Sequence, residues 1–148
     1  MPEKTSMKIQ FKKGYILVVS EKLIYFIGYI SGVGKTAKGG AFFPFIFVKS
    51  DEFAVNWLIT HERIHFRQQL ETLFIGFILI SLFEKAYAYF ILKKSWFDSY
   101  LWSSGEQEAY LNMYNNDYLQ NRKPWAQFYY FRHKKNFILT GPGQIKFI

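Results

Sequence analysis

No cysteine occurs among the 148 residues. This absence removes disulfides, thiolate zinc ribbons and thiol catalysis from the available chemistries. Histidine is almost as scarce, with three in the chain, so a histidine-based site has few residues to draw on. Neither a repeat nor a Pro/Gly/Ser-rich linker divides the sequence, and its length suits one domain, read as residues 1–148. Acidic residues number eleven against nineteen basic ones, and none follows Asp117. The polar stretch Met1–Lys13 carries no apolar core segment, so no signal peptide is expected there.

Aromatic residues, by contrast, are abundant. They make up 22% of a chain that is half apolar, which excludes a disordered tail. Such an excess serves either a dense core or a surface kept for a membrane interface or partner. Arg122, Lys123, Arg132, Lys134, Lys135 and Lys146 make the last part of the chain basic. A basic end suits an anionic membrane surface, a nucleic acid or an acidic partner, or simply keeps an apolar protein in solution. Trp125, Phe128, Tyr129 and Tyr130 stand in a block and do not interleave with the cations, so nucleic acid is not the expected partner.

The apolar, β-branched runs 15–20 and 22–30 read as two strands, or as a strand followed by a short helix. Residues 41–49 read as an extended edge segment, because Pro44 cannot donate to a ladder. Ser50 or Asp51 is the expected N-cap of a helix running from about Glu52 through His61 and His65 toward Leu70. Further helical stretches are expected over 86–94 and from Ser103 to about Asn121, with a turn at Gly141-Pro142-Gly143. Residues 73–92 are apolar apart from Glu84-Lys85 and a few small residues. That charged pair inside a bilayer core of about 30 Å favours a buried hairpin or an in-plane helix over a full span.

The chemistry concentrates in His61-Glu62-Arg63-Ile64-His65. Residues four apart lie on one helical face, so both imidazoles can reach a single metal ion. Glu62, turned about 100° away, can hold an attacking water without ligating. Two histidines and a carboxylate with one open position suit zinc. Glu71 follows at the spacing of one third-ligand class, but that class needs a glycine at position 68, where Gln68 stands. With the helix continuing, Glu71 is read as a solvated charge. The carboxylate is sought instead in Ser103-Ser104-Gly105-Glu106-Gln107-Glu108-Ala109-Tyr110. Glu106 shares its face with Ala109, Tyr110 and Met113 and is the preferred ligand, with Glu108 the alternative. Ser103 and Glu106 also have the spacing of a helix capping box, the structural explanation of the same residues.

HExxH followed on a later helix by Glu-x-x-Ala resembles the gluzincin group of zinc metallopeptidases. His61, Glu62, His65, Glu106 and Ala109 match, and Tyr110 stands where that group commonly has Asp or Asn. The stretch from HERIHFRQQLE to GEQEAY is also similar to small bacterial proteins taken for metallopeptidases. The resemblance implies an α+β fold, with a small N-terminal antiparallel sheet packed on a zincin-like helical core. It implies zinc held by His61, His65 and Glu106, with Glu62 as general base toward a peptide or protein substrate. Tyr110, Tyr114 and His133 are the candidate oxyanion donors. The expected location is the cytoplasm or the inner membrane face. A non-catalytic metal-binding module of the same fold is the alternative, although a structural metal has no use for Glu62. Gly32-Val33-Gly34-Lys35-Thr36 resembles the end of a phosphate loop, but Tyr29 occupies the position of its first glycine, so no nucleotide is expected.

Overall fold

Ser20 and Gly32 decide the N-terminal architecture. The computed structural model describes residues 6–148; the first part of the segment read as lacking a signal peptide lies outside the described residues. Strands β1 (Lys8–Lys12) and β2 (Tyr15–Val19) form an antiparallel hairpin. Ser20 then caps a helix, its Oγ accepting from the Leu23 amide at 3.4 Å, and Gly32 ends that helix at φ 83°, where a glycine carries no steric penalty. Residues 22–30 are therefore the helix α1 (Glu21–Ser31), the second of the two expected arrangements.

Residues 41–49 are not one edge strand. Strand β3 (Gly39–Phe42) turns through Phe43-Pro44 into β4 (Phe45–Val48). The sheet order is β1-β2-β4-β3, so β4 is interior and β3 is an edge; Pro44 sits in the turn, where its missing N–H is not called on and its carbonyl accepts from the Ile16 amide at 2.9 Å. Strands β2 and β4 pair in parallel. The expected antiparallel sheet is thus corrected to a mixed one: the route through α1 and β3 returns the chain to the same end of the sheet.

Helix α2 (Asn56–Glu71) packs beneath this sheet. Leu58 and Phe66 meet Leu17, Val19, Ile46 and Val48 in the main buried cluster. It starts later than expected, because Asp51–Phe53 forms a separate 3-10 turn, and its N-cap Val55 offers no side-chain acceptor. Leu73 and Phe74 have positive φ, which stops α2 and bends the chain by 110° into α3 (Ile75–Phe90). Glu84-Lys85 does not interrupt α3. Glu84 turns inward, accepts from the Ser104 amide and hydroxyl at 2.9 and 2.6 Å, and pairs with Lys134.

The expected helix from Ser103 to Asn121 is broken. Helix α4 (Trp96–Trp102) precedes α5 (Ser104–Asn112), and α6 (Tyr118–Asn121) and α7 (Gln127–Arg132) follow. The Gly141-Pro142-Gly143 turn joins an antiparallel pair, β5 (Phe137–Gly141) and β6 (Gln144–Phe147). The described residues thus make an α+β fold of seven α-helices, a four-stranded mixed sheet and a two-stranded sheet. Among them, no single helix is long and apolar enough to cross a membrane.

Candidate metal centre

Helix α2 lies between the sheet and α5, and its buried face carries His61, Glu62 and His65. Across from it α5 presents Glu106. His65 Nε2 stands 3.1 Å from His61 Nε2, and the two oxygens of Glu106 lie 3.3 Å from His61 Nε2 and 3.4 Å from His65 Nε2. A tetrahedral ion with bonds of about 2.0–2.1 Å has ligand-to-ligand edges of about 3.3–3.4 Å. Each imidazole nitrogen meets a different oxygen of Glu106 at about that spacing, and one ligand atom from each of the three residues lies within 4.8 Å of the others. Glu106 Oε2 is buried and receives no hydrogen bond among the described residues, which fits an atom directed at a cation. His61, His65 and Glu106 are also the one group of potential ligands converging this way among the described residues.

The choice between the carboxylates follows from the helix itself. Glu108 is wholly buried on the other side of α5, where it pairs with Arg122 and accepts from Tyr118 at 3.0 Å. Ser103 stands at the N-cap of α5, but its side chain makes no capping bond: the hydroxyl donates to the Tyr100 carbonyl, and Glu106 points to the imidazoles. Glu71 is not a solvated charge either. Arg122 Nη1 donates to it at 2.6 Å, so one guanidinium ties the end of α2 to α5.

Gln68, the residue that replaces the glycine of the alternative class, connects this network to the site. Its Nε2 donates to Glu108 Oε2 at 2.9 Å and to the Gly105 carbonyl at 3.1 Å. The Gly105 carbonyl can only accept, so the Gln68 oxygen is the end turned to His65, and His65 Nδ1 donates to it at 2.7 Å. That bond fixes the tautomer and leaves the Nε2 lone pair of neutral His65 facing Glu106. His61 has no such support: its Nδ1 is buried without a hydrogen-bond partner among the described residues. The Tyr110 ring instead packs edge-on against it, with centroids 4.6 Å apart. Aromatic packing thus stands beside the His61 ring in place of a hydrogen bond.

Glu62 lies beside this triangle. Burial raises its pKa first of all, and the Glu106 carboxylate adds to the shift while the two imidazoles oppose it. A β-carbon at Gly39 would come within 2.7 Å of Glu62 Oε1, so edge strand β3 needs its glycine to pass the carboxylate. A cavity of about 740 Å³ opens here between β3, α3 and the C-terminal hairpin. Tyr100 and Tyr110 both line it, and burial followed by Glu106 raises both phenol pKa values, so each remains a proton donor. Tyr100 escaped sequence analysis because it stands in α4, outside any motif. The other two oxyanion candidates are placed elsewhere. Tyr114 donates to the Gly143 carbonyl at 2.5 Å, and His133 is exposed and stacks on Tyr129.

The protonation states predict a pH response of the chelator-treated protein. Burial alone would lower the His65 pKa, but the Glu106 carboxylate outweighs it and raises the value to about 9. Glu106 is raised by burial and lowered more strongly by His65 and His61, to well below the carboxylate range. A raised histidine stabilises the fold fully below its unfolded value near 6.5 and loses that contribution as pH climbs through about 9. The depressed carboxylate stabilises above its unfolded value near 4.5 and loses that contribution as pH falls. Stability without metal should therefore peak between these two reference values. Thermal melting across the range checks this, and a melting temperature that keeps rising to pH 9 would contradict the pairing.

Compared with known protein families, curated proteins and solved structures, the chain matches none.

Proposed function

We propose that the protein is a zinc-dependent peptidase with a zincin-like core, its metal held by His61, His65 and Glu106. The observation that supports this best is the convergence of two imidazole nitrogens, 3.1 Å apart, on the Glu106 carboxylate, whose two oxygens lie 3.3 and 3.4 Å from them, flanked by a buried Glu62 outside that group. Zinc bound there supplies Lewis-acid polarisation of a scissile carbonyl and lowers the pKa of a water. The remaining work falls to the chain. Glu62, its pKa raised by burial, takes the proton of the attacking water and delivers it to the departing amine nitrogen. The phenols of Tyr100 and Tyr110 face the cavity as neutral donors for the developing oxyanion. Edge strand β3 lines the same cavity through Gly39, Gly40 and Ala41, a place for an extended peptide to pair. Lys35, Lys38 and Lys85 line it too, with no acid besides Glu62 and Glu106, which favours acidic peptides.

Metal analysis of the purified protein tests the ligand set. One zinc per chain is expected, with His65→Ala and Glu106→Ala each losing it and Glu108→Gln keeping it. Retention of zinc by both of the first two variants would overturn the assignment.

A further inference from the structure

Helix α3 is patterned the wrong way round for water. Every exposed residue from Leu73 to Leu92 is apolar or tyrosine, including Ile75, Ile78, Leu79, Leu82 and Phe83, and Phe83 is 65% exposed. The two charges that the sequence places within this stretch are turned away. Glu84 is buried against Ser104 and Lys134, and Lys85 reaches inward to the Ser31 carbonyl at 3.4 Å and over the Tyr100 ring. A surface helix in water puts charge outside and aliphatic residues inside. The apolar surface continues onto the end of α1, where Tyr29 and Ile30 are 84% and 68% exposed beside the Lys85–Ser31 contact.

We infer that this face of α3, with the end of α1, docks in the plane of a bilayer containing anionic lipid. Sixteen residues at about 1.5 Å each reach about 24 Å, short of a hydrocarbon core of about 30 Å, so the helix lies in the interface. Charge selects the occupant. No exposed acidic residue lies between Leu73 and Lys94, whereas Lys93 follows the apolar stripe, Lys35 lies in the turn after α1 and Lys22 in the first turn of that helix, all three exposed. Tyr87, Tyr89 and Trp96 gather at the lysine end, the arrangement that suits the headgroup layer. A second copy would bring a chain of net charge +8 against another of +8, which opposes self-association through a basic-rimmed face. The same helix contributes Phe77, Ser81 and Lys85 to the cavity wall, so docking would set the cavity beside the lipid surface.

Flotation with phosphatidylcholine vesicles containing about 25% phosphatidylglycerol tests this on the intact chain. The protein should rise with these vesicles and fall back at least about tenfold with phosphatidylcholine alone. Replacing both Leu79 and Phe83 by Glu should reduce binding about tenfold or more while leaving circular dichroism unchanged, since both side chains are exposed. A Leu82→Cys chain, whose single thiol takes an environment-sensitive dye, gives a second reading that does not depend on the double variant folding. Its emission should shift to the blue on anionic vesicles, and a dye at Lys13→Cys, on the β1–β2 turn, should not respond. Failure to float with either vesicle overturns the inference. So does flotation of a folded double Glu variant equal to the parent, or a solution dimer that the same two substitutions dissolve.

Discussion

Under the proposed function, Glu62→Gln is expected to bind zinc as the parent does and to lose peptide hydrolysis by about two orders of magnitude or more. The side chain ligates nothing, so the amide leaves the His61–His65–Glu106 triangle intact. What disappears is the proton acceptor. Glutamine fills the same volume beside Gly39 but cannot take a proton from water or return one to an amine. Mass-spectrometric profiling of a peptide library, with zinc content measured on the same samples, reads both quantities. This pair of readouts separates the enzyme from a metal-binding module, because a structural ion depends on the histidines and is indifferent to Glu62. A Gln variant that cleaves a responsive peptide as fast as the parent would remove the catalytic reading.

The second large effect is expected in stability. Arg122→Met should lower the unfolding free energy by about 3–5 kcal/mol, because it strands a buried carboxylate. Arg122 pairs with Glu108, whose side chain is wholly buried, and with Glu71, and it joins α2 to α5 by way of the segment after α6. Adding Glu108→Gln to Arg122→Met should recover part of the loss: the stranded charge is gone, while an amide still accepts from Gln68. Urea unfolding of the single and double variants measures the difference. A single variant as stable as the parent would mean that the arginine is ornamental to the fold.

The parts of this molecule that sequence analysis reached are those carried by local spacing. The four-residue interval of His61 and His65 on one helix, and the inward face of Glu106 beside Ala109, needed only helical periodicity. The turn at Pro142 and the α+β class were likewise legible. Missing were features decided by distant partners. Nothing near Glu84 in sequence says that Ser104 and Lys134 will bury it, so the sequence alone shows an apolar run and a separate helix over 86–94 where the fold has α3. Glu71 looked solvated because its partner Arg122 lies fifty-one residues away. The parallel pairing of β2 with β4 depended on residues 22–30 being helix, which an apolar, β-branched run leaves undecided. In the sequence Gln68 stands out only as the absence of a glycine, and its role as a bridge from Glu108 to His65 exists only in three dimensions.

Helix α5 contains almost no grease yet is buried from Ser104 through Ala109. Its neighbours hold it residue by residue: Glu84 and Gln127 meet Ser104, Lys135 and the Leu101 carbonyl meet Gln107, and Arg122 meets Glu108. An oily helix can slide along its partners at little cost, whereas this one would break several pairings at once for any shift in register. The Glu106 carboxylate is thus keyed into place by contacts that owe nothing to an ion. A cation captured between α2 and α5, as the proposed function requires, would meet a carboxylate already held in place, and the freedom that a pliable loop would surrender on capture would have been given up in folding.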